Sequence, residues 1–256
     1  MLNLDQRLSE AQAEGLEPNV LRWLAFLGVA AGDVVELQAL GVPARYGKPQ
    51  TRYAHATSSA DVLRLLSEAE RWPSPASGLY MIANRCDPRV AARSEPNKWH
   101  VAQQGHSTSD RDILARRVLP IDLDVERPSG ISATDAEVAL AFEVAHAVVE
   151  RLVPVVGLEA LAVGHSGNGV QILVSLDAIP EEPEVLADVK AILAALAALH
   201  ATDAIKVDCS LCDAKRILPA WGTMKRKGAH TDVRPHRRTG LIRLAEAVQT
   251  EGQAAA

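Results

Sequence analysis

Apolar residues recur at helical spacing in the first part of the chain, in two groups within residues 4–27 that a turn-like stretch separates. We therefore expect residues 1–40 to form a helical segment that packs on the rest of the protein. The run SSADVLRLLSEAERW has the same period and predicts an amphipathic helix that is capped near Ser58 and ends before Pro73.

Shorter apolar runs predict strands, each bounded by polar or turn residues: residues 78–83, 118–125, two strands joined by a turn within 158–176, and 204–208. Two further helices are predicted. One covers residues 183–200, and the other begins at Thr134, which has the spacing of a capping box with Glu137. We expect this second helix to end at about Leu152, because Pro154 follows.

A long polar connection, residues 84–112, separates the first two predicted strands. Connections of this length are uncommon in a compact domain and tend to be functional or mobile. Taken together, the elements predict an α+β protein with one main domain at residues 41–245. The last residues, 246–256, are expected to be a frayed tail.

The composition is that of a soluble globular protein, since 48% of the residues are hydrophobic and 23% are charged. No run reaches the roughly 18 apolar residues that a spanning helix needs, and the start of the chain is too polar for a signal peptide. Three cysteines are too few, and odd in number, for a disulfide framework. We expect a cytoplasmic protein without membrane contact.

Charge is unevenly distributed along the chain, although the formal net charge is only -5. Residues 215–243, here called the basic segment, contain nine Lys and Arg against one acid, Asp232, a net charge of +8 that leaves -13 for the rest. Such a segment creates a local positive potential that can hold phosphates whatever the global sign. A solvated basic tail is disfavoured, because Pro219, Trp221 and Gly222 indicate folded turns within it.

Two aspartates, Asp122 and Asp124, alternate with the apolar residues Ile121, Leu123 and Val125 in the predicted strand VLPIDLDV. Side chains alternate across a strand, so both carboxylates share one face and their α-carbons lie roughly 6.6 Å apart. Neighbouring carboxylates repel, and a divalent cation removes that conflict. An Asp-x-Asp also occurs by chance, so the pair alone is weak evidence for a metal site.

A third carboxylate, Asp208, ends the last apolar strand just before the basic segment. Phosphoryl transfer between nucleotides uses two metal ions held by shared carboxylates, which stabilise the attacking and leaving oxygens. Asp208 would complete such a set, or it would only cap the residues that follow it. Arg216, Lys225 and Lys227 come next, and their fork and point charges suit a triphosphate.

The sequence GHSGNG, residues 164–169, forms a polar turn between two apolar stretches. Its small residues let backbone N–H groups approach an anion, and Asn168-Gly169 also favours a hairpin turn, so both interpretations stay open. It is not the Gly-x-Ser-x-Gly turn of serine hydrolases, because Asn168 replaces the second glycine. Cys209 and Cys212 form a single Cys-x-x-Cys, and without a second pair we expect no zinc.

In this order, the motifs resemble those of the archaeo-eukaryotic primase superfamily, in particular its phage and plasmid primase-polymerase domains. LPIDLD is similar to the first metal motif, and RPSGISATDAE to the segment after it in phage members. SGNGVQILV resembles the second motif, VDCSLCDAKRILPAWGTMKRKG the third, and RPHRR the basic block that follows. GDVVEL and LYMIANRCDP also look related, so the likeness covers roughly residues 30–243.

The resemblance implies an α+β primase-polymerase core, with a mixed sheet like that of the RNA-recognition module, flanking helices and an N-terminal α/β extension. It implies that Asp122, Asp124 and Asp208 are catalytic and hold Mg²⁺ or Mn²⁺ in a two-ion site. The residues implied to bind the nucleotide are Ser166, Asn168, Gly169, Gln171, Arg216, Thr223, Lys225 and Lys227, and those implied to bind DNA are Arg226, His236, Arg237 and Arg238. One departure is Gln171, since many members have a histidine there and glutamine carries no charge.

The function implied is a template-dependent nucleotidyltransferase that synthesises primers or extends DNA in phage or plasmid-type replication. Its partners would be single-stranded DNA, NTPs or dNTPs, and a separate replicative helicase. A noncatalytic replication-initiation module that binds DNA on the same fold is the alternative that Gln171 favours. A metal-dependent glycosyltransferase would also use an Asp-x-Asp, but it leaves Asp208, Arg216 and Lys225 unexplained.

Overall fold

The structure is a computed structural model that describes the backbone of residues 3–254 and the side chains of residues 3–249. Its helices are α1 (Leu4–Glu14), α2 (Leu16–Phe26), α3 (Ser59–Glu70), α4 (Asp135–Val156), α5 (Pro183–His200) and α6 (Leu244–Ala254). Its strands are β1 (Val35–Val42), β2 (Gln50–Ala56), β3 (Gly78–Ile82), β4 (Arg85–Cys86), β5 (His100–Val101), β6 (Ile113–Val125), β7 (Leu161–His165), β8 (Gly169–Pro180), β9 (Ile205–Val207), β10 (Ile217–Pro219), β11 (Met224–Lys225), β12 (Arg237–Arg238) and β13 (Gly240–Arg243).

These strands form two sheets and a short ribbon. The first sheet has the order β10-β3-β1-β2-β5, the second has the order β13-β7-β8-β6-β4 with β9 also paired to β6, and β11 pairs with β12. The α+β class predicted from the sequence is confirmed. Within the described residues every strand pair is antiparallel, whereas the resemblance implied a mixed sheet.

The second sheet is buried on both faces, and β6 shows how its residues divide between them. Ile121, Leu123 and Val125 join the apolar core that α4 and α5 cover. The opposite face of the sheet packs with α2, α3 and the first sheet around Trp23 and Trp221. The predicted alternation along this strand is confirmed, and it leaves the aspartates of β6 on the side that faces the first sheet.

Helix α4 starts as predicted, with the capping box of Thr134 and Glu137 formed in full. Its predicted end is wrong, because the helix continues through Pro154 to Val156. A proline in the last turn removes only the hydrogen bond of its own nitrogen, and Gly157 ends the helix by donating its N–H to the Val153 carbonyl at 2.9 Å.

The long polar connection contains short regular elements that its composition did not indicate. Strands β4 and β5 and the 3₁₀ turns Pro88–Arg93 and Asp110–Asp112 lie within residues 84–112, and β6 already begins at Ile113. Strand β1 was also not predicted. It runs across residue 40, where the sequence prediction placed the boundary between the helical segment and the main domain. The backbone of the segment predicted to be a frayed tail is helical to Ala254, and residues 255 and 256 lie outside the described residues. None of the helices in residues 3–254 combines the length and the apolar content that crossing a bilayer would need.

Hydrogen bonds attach the two N-terminal helices, α1 and α2, to the last part of the basic segment, which includes strand β13. The buried amide of Asn19 accepts the N–H of Leu241 at 2.8 Å and donates to the carbonyls of Ala11 and Gly15. Gly240 allows this approach, since a β-carbon there would lie 2.8 Å from the Gln12 side chain. The start of the chain therefore supports a strand near its end.

Gly164 on β7 lies against Trp221, the largest side chain of the basic segment and one that is fully buried. A β-carbon at residue 164 would come within 2.3 Å of the indole ring. The same ring contacts Trp23 edge-on, with centroids 6.3 Å apart, so the indole has little freedom to move aside. Packing against Trp221 therefore requires a glycine at residue 164, the first residue of the GHSGNG sequence.

We predict that Gly164→Ala lowers the free energy of unfolding by about 1–3 kcal/mol, because the added methyl overpacks the core at Trp221. Chemical denaturation of Gly164→Ala, Trp221→Phe and the double variant measures this. The smaller ring should relieve the clash, so the double variant should be more stable than the sum of the two single effects predicts. Strictly additive effects would contradict this explanation.

Candidate active site

Strand β6 brings the aspartates together because it pairs with β8 on one side and with β9 on the other. Asp122 lies opposite Gln171 of β8, and Leu123 lies opposite Val207 of β9. Asp208 continues that second register by donating its backbone N–H to the Asp122 carbonyl at 3.0 Å. Directly opposite residues have β-carbons roughly 4.5–5.5 Å apart and share a face. Asp122, Asp124 and Asp208, here called the carboxylate cluster, therefore occupy one face of two neighbouring strands.

The proximity of the three carboxylates shows in the electrostatics of Asp122. Burial and the negative charges of Asp124 and Asp208 together raise the pKa of Asp122 to about 7, against an opposing hydrogen bond from Gln171. Without a cation, this carboxyl group is partly protonated near neutral pH. A divalent cation would stabilise the ionised form, so the charge arrangement fits a cation site.

The carboxylates are not gathered into a ready-made set of ligands. Among the described residues, no three His, Cys, Asp or Glu side chains are arranged to hold a metal ion. The Oδ1 of Asp124 accepts a hydrogen bond from the Arg127 guanidinium at 2.7 Å, and a carboxylate oxygen of Asp208 accepts one from the N–H of Ser210 at 2.8 Å. Carboxylate oxygens are nevertheless the donors that Mg²⁺ and Mn²⁺ prefer, so the chemistry of the cluster fits these ions. The role of the cluster stays a prediction.

Gln171 has a buried polar atom for which the protein supplies no partner. Its amide hydrogen-bonds to Asp122, whereas its Oε1 is buried and lacks a donor. Buried carbonyl oxygens are almost always satisfied, so this atom favours a ligand that carries an N–H or O–H group.

A cavity of about 240 Å³ opens in front of these residues, between the two sheets. Eight of the residues predicted for the site line it: Asp122, Asp124, Ser166, Asn168, Gln171, Arg216, Lys225 and Lys227. Tyr80 and Arg127 complete its polar wall. Asp208, Gly169 and Thr223 do not line it. Thr223 is buried and its hydroxyl donates to the Ala220 carbonyl at 2.7 Å, so this side chain is directed into the protein.

The cationic wall of the cavity combines one constrained lysine with one constrained arginine. The Nζ of Lys225 lies 4.3 Å from the centre of the Tyr80 ring. Burial lowers the pKa of Lys225 to about 8, with the charge of Lys227 adding to the effect. Arg216 binds Ser210 and Asp213, and its Nε is buried without an acceptor. An anion in the cavity would meet charges that are already positioned.

The GHSGNG sequence is a hairpin turn between β7 and β8, as one of its two interpretations predicted. Ser166 donates both its N–H and its hydroxyl to the Gly169 carbonyl, at 3.0 and 3.1 Å. Gly169 is required here, since a β-carbon would lie 2.3 Å from the Leu123 carbonyl. Asn168 accepts the N–H of Ala133 at 2.8 Å, which ties the hairpin to the loop before α4. The anion-binding interpretation stays a prediction.

The residues predicted to bind DNA take part in bonds within the protein. Arg226 and Arg238 lie 3.2 and 3.8 Å from Glu70, and Arg237 lies 2.5 Å from Asp135. The ring of His236 is 2.8 Å from the Gly228 carbonyl. These contacts fix the basic segment on the domain, and DNA binding by the four residues stays a prediction.

Sequence reasoning missed two polar residues of the cavity, Arg127 and Tyr80. Arg127 was noted only as the first residue of the RPSGISATDAE segment, and its place three residues after Asp124 was the available signal. Tyr80 was one residue of an apolar strand, and nothing near it in the sequence indicates its contact with Lys225.

No model of a protein family matches the chain, and no curated protein matches it. Three solved structures are similar to it. The AEP domain (PP-N190) of the cyanophage S-2L primase-polymerase aligns over 91% of this chain and 96% of that one, with 11% identity and a TM-score of 0.45. Primase RepB' aligns over 93% and 64%, with 15% identity and a TM-score of 0.47. The polymerase domain of Mycobacterium tuberculosis ligase D, in complex with DNA, aligns over 94% and 88%, with 16% identity and a TM-score of 0.44.

His165, beside the hairpin, gives a testable pH dependence. Its buried Nδ1 accepts the N–H of Gly167 at 2.9 Å, and burial together with the charge of Arg237 lowers the pKa of His165 from 6.5 to about 4. The unfolded chain binds a proton first, so stability that is fully present above pH 6.5 is lost as the pH falls towards 4. The loss attributable to this group is at most about 3 kcal/mol.

We predict that His165→Asn reduces the fall of the unfolding free energy between pH 6.5 and 4, because asparagine keeps an acceptor for Gly167 but does not titrate. Denaturant titrations across this pH range measure the slope. The two proteins compared at pH 8, where the histidine is neutral in both states, give the baseline cost of the substitution. An unchanged slope would exclude His165 as its source.

Proposed function

We propose that this protein is a nucleotidyltransferase that adds nucleotides on a single-stranded DNA template, as a primase, a polymerase or both. The observation that carries the proposal is the carboxylate cluster on β6 and β9 beside a cavity with a cationic wall. The cluster pairs acidic ligands for a divalent cation with basic groups for a polyphosphate, which phosphoryl transfer requires together.

Asp122, Asp124 and Asp208 would hold Mg²⁺ or Mn²⁺. The bound ions supply charge stabilisation for the attacking hydroxyl and for the leaving pyrophosphate. A bound cation would favour the ionised form of Asp122, whose pKa is raised by burial and by the neighbouring carboxylates. Gln171 keeps Asp122 oriented through its amide and offers its free Oε1 to the ligand.

The triphosphate would lie against Arg216, Lys225 and Lys227. Arg216 offers its unpartnered Nε, and Tyr80 holds Lys225 in place from the other side. The hairpin at Ser166 lines the same cavity, where a hydroxyl or backbone N–H can meet a phosphate oxygen.

Template binding follows from the charge of the basic segment. The segment carries a net charge of +8, and the ion pairs of Arg226, Arg237 and Arg238 with Glu70 and Asp135 fix it on the domain while they offset part of that charge. We further propose that the protein acts in the cytoplasm in phage or plasmid-type replication, where a helicase supplies single strands. The sequence motifs support the type of replication, and the small, odd number of cysteines supports the cytoplasm.

A noncatalytic module that binds nucleotides and DNA is the second candidate. It is favoured by the engagement of Asp124 with Arg127 and by the neutral Gln171. It is opposed by the raised pKa of Asp122, since three crowded carboxylates without a cation are an electrostatic cost that a binding module has no reason to retain. A glycosyltransferase leaves the proximity of Asp208 to Asp122 unexplained.

We predict that Asp122→Asn and Asp208→Asn each reduce nucleotide incorporation by at least roughly a hundredfold, because each removes a ligand that stabilises transition-state charge. The assay incubates the protein with single-stranded DNA, with and without a primer, all nucleotides and Mn²⁺, and sizes the products. Asp177→Asn, an exposed aspartate at the far end of β8, is the matched control and should retain activity.

Calorimetry of nucleoside triphosphate binding, with and without Mn²⁺, separates the two candidates. Metal-dependent binding combined with incorporation supports the transferase. Metal-independent binding without incorporation supports the noncatalytic module. Normal incorporation by both Asn variants would exclude the carboxylate cluster as the catalytic site.

A further inference from the structure

Arg127 is the one cationic group that directly contacts the carboxylate cluster in the described part of the chain. Its side chain is only 4% exposed, and its Nη1 lies 2.7 Å from Oδ1 of Asp124. Asp124 itself is 45% exposed towards the cavity. The ion pair therefore joins a buried guanidinium to a carboxylate that faces the candidate cation site.

The guanidinium is held in place independently of Asp124. Nη1 also donates to the Val125 carbonyl at 2.9 Å, and Nε donates to the Ile131 carbonyl at 3.2 Å. Neutral carbonyls satisfy the hydrogen bonds of an arginine but do not balance its charge, and arginine stays protonated in proteins. Asp124 supplies the balancing charge.

The loop that carries Arg127 is anchored to other parts of the site. Ser132 donates its hydroxyl to the Lys227 carbonyl at 2.8 Å, and Ala133 donates its N–H to Asn168. Gly228 packs so closely on this loop that a β-carbon would lie 2.3 Å from the Gly130 carbonyl. The loop that carries Arg127 is therefore tied to the hairpin and to the basic segment, and the bonds to Val125 and Ile131 hold the guanidinium in place within it.

A divalent cation that binds Asp124 meets this fixed positive charge. Both compete for the lone pairs of one carboxylate, and two positive charges near the same oxygen repel each other. Arg127 thus stabilises Asp124 before the cation arrives and opposes the cation afterwards.

We propose that Arg127 competes with the divalent cation for Asp124 and so sets how much cation the site requires. The inference rests on the proposed function, since it concerns the same carboxylates. Arg127 is a positioning residue in this proposal, because it acts through Asp124 and not on the reacting atoms.

The test is Mn²⁺ binding, followed by electron paramagnetic resonance of the free ion, without DNA or nucleotide. We expect Arg127→Gln to bind Mn²⁺ roughly tenfold more tightly than wild type, because the variant removes a positive charge that contacts the same carboxylate as the cation. Arg127→Lys keeps the charge and should stay close to the wild-type affinity. Arg93→Gln, which removes a remote Arg–Asp pair with Asp112 of similar N···O distance, is the control and should not change the affinity.

The opposite result would overturn the proposal. If Arg127→Gln and Arg127→Lys both bind Mn²⁺ more weakly, the guanidinium fork orients Asp124 for the metal and does not compete with it. Unchanged affinity in Arg127→Gln also overturns it. Circular dichroism checks that each variant is folded, and Arg127→Met, which keeps the apolar stem, takes the place of Arg127→Gln if that variant unfolds.

The same titration separates this inference from the proposed function. Asp122→Asn and Asp124→Asn should lose Mn²⁺ binding, and if they bind like wild type, or if wild type does not bind, both the metal site and the competition are wrong. Tighter binding in Arg127→Gln by a protein that incorporates no nucleotide would support the competition and contradict the transferase.

Discussion

The pairing of β6 with β8 and β9 is the constraint on which the candidate site depends. A strand with a partner on each side can place acidic residues from two chain segments on one face, although some eighty residues separate Asp124 from Asp208. The apolar residues of β6 are buried on the other face, so a register shift of one residue would move them to the cavity side and place the acids in the apolar core. The hydrophobic core thereby keeps mutually repelling carboxylates together.

The protein limits this repulsion in several local ways. Asp122 has a raised pKa and a hydrogen bond from Gln171, Asp124 has Arg127, and Asp208 has the N–H of Ser210. Each of these contacts satisfies one carboxylate and leaves the space between the three carboxylates open. The cationic groups on the far side of the cavity are likewise held by contacts within the protein, so both halves of the site are rigid and oppositely charged.

Much of this arrangement was readable from the sequence, and the parts that were not have a common reason. Alternation in LPIDLD gave the face of Asp122 and Asp124, and the capping box gave the start of α4, because both signals are local. The site position of Asp208 came from the resemblance, since strand pairing is not encoded within a short window. Arg127, Tyr80 and the inward direction of Thr223 depend on side chains that meet only after folding. The predicted end of α4 at Pro154 was wrong because a proline in the last turn of a helix costs much less than one in its interior.

The hydrogen bond from the N–H of Leu241 to the side chain of Asn19 connects the N-terminal helices to the last strand of the domain. Helices α1 and α2 thereby stabilise β13, the strand that ends the basic segment, and through it the position of the cationic wall. Because β1 also extends across residue 40, a truncation at that point would divide this strand and remove helices α1 and α2. Any shortened version of the protein intended for study should therefore retain the N-terminal helices, even though they contribute no side chain to the cavity.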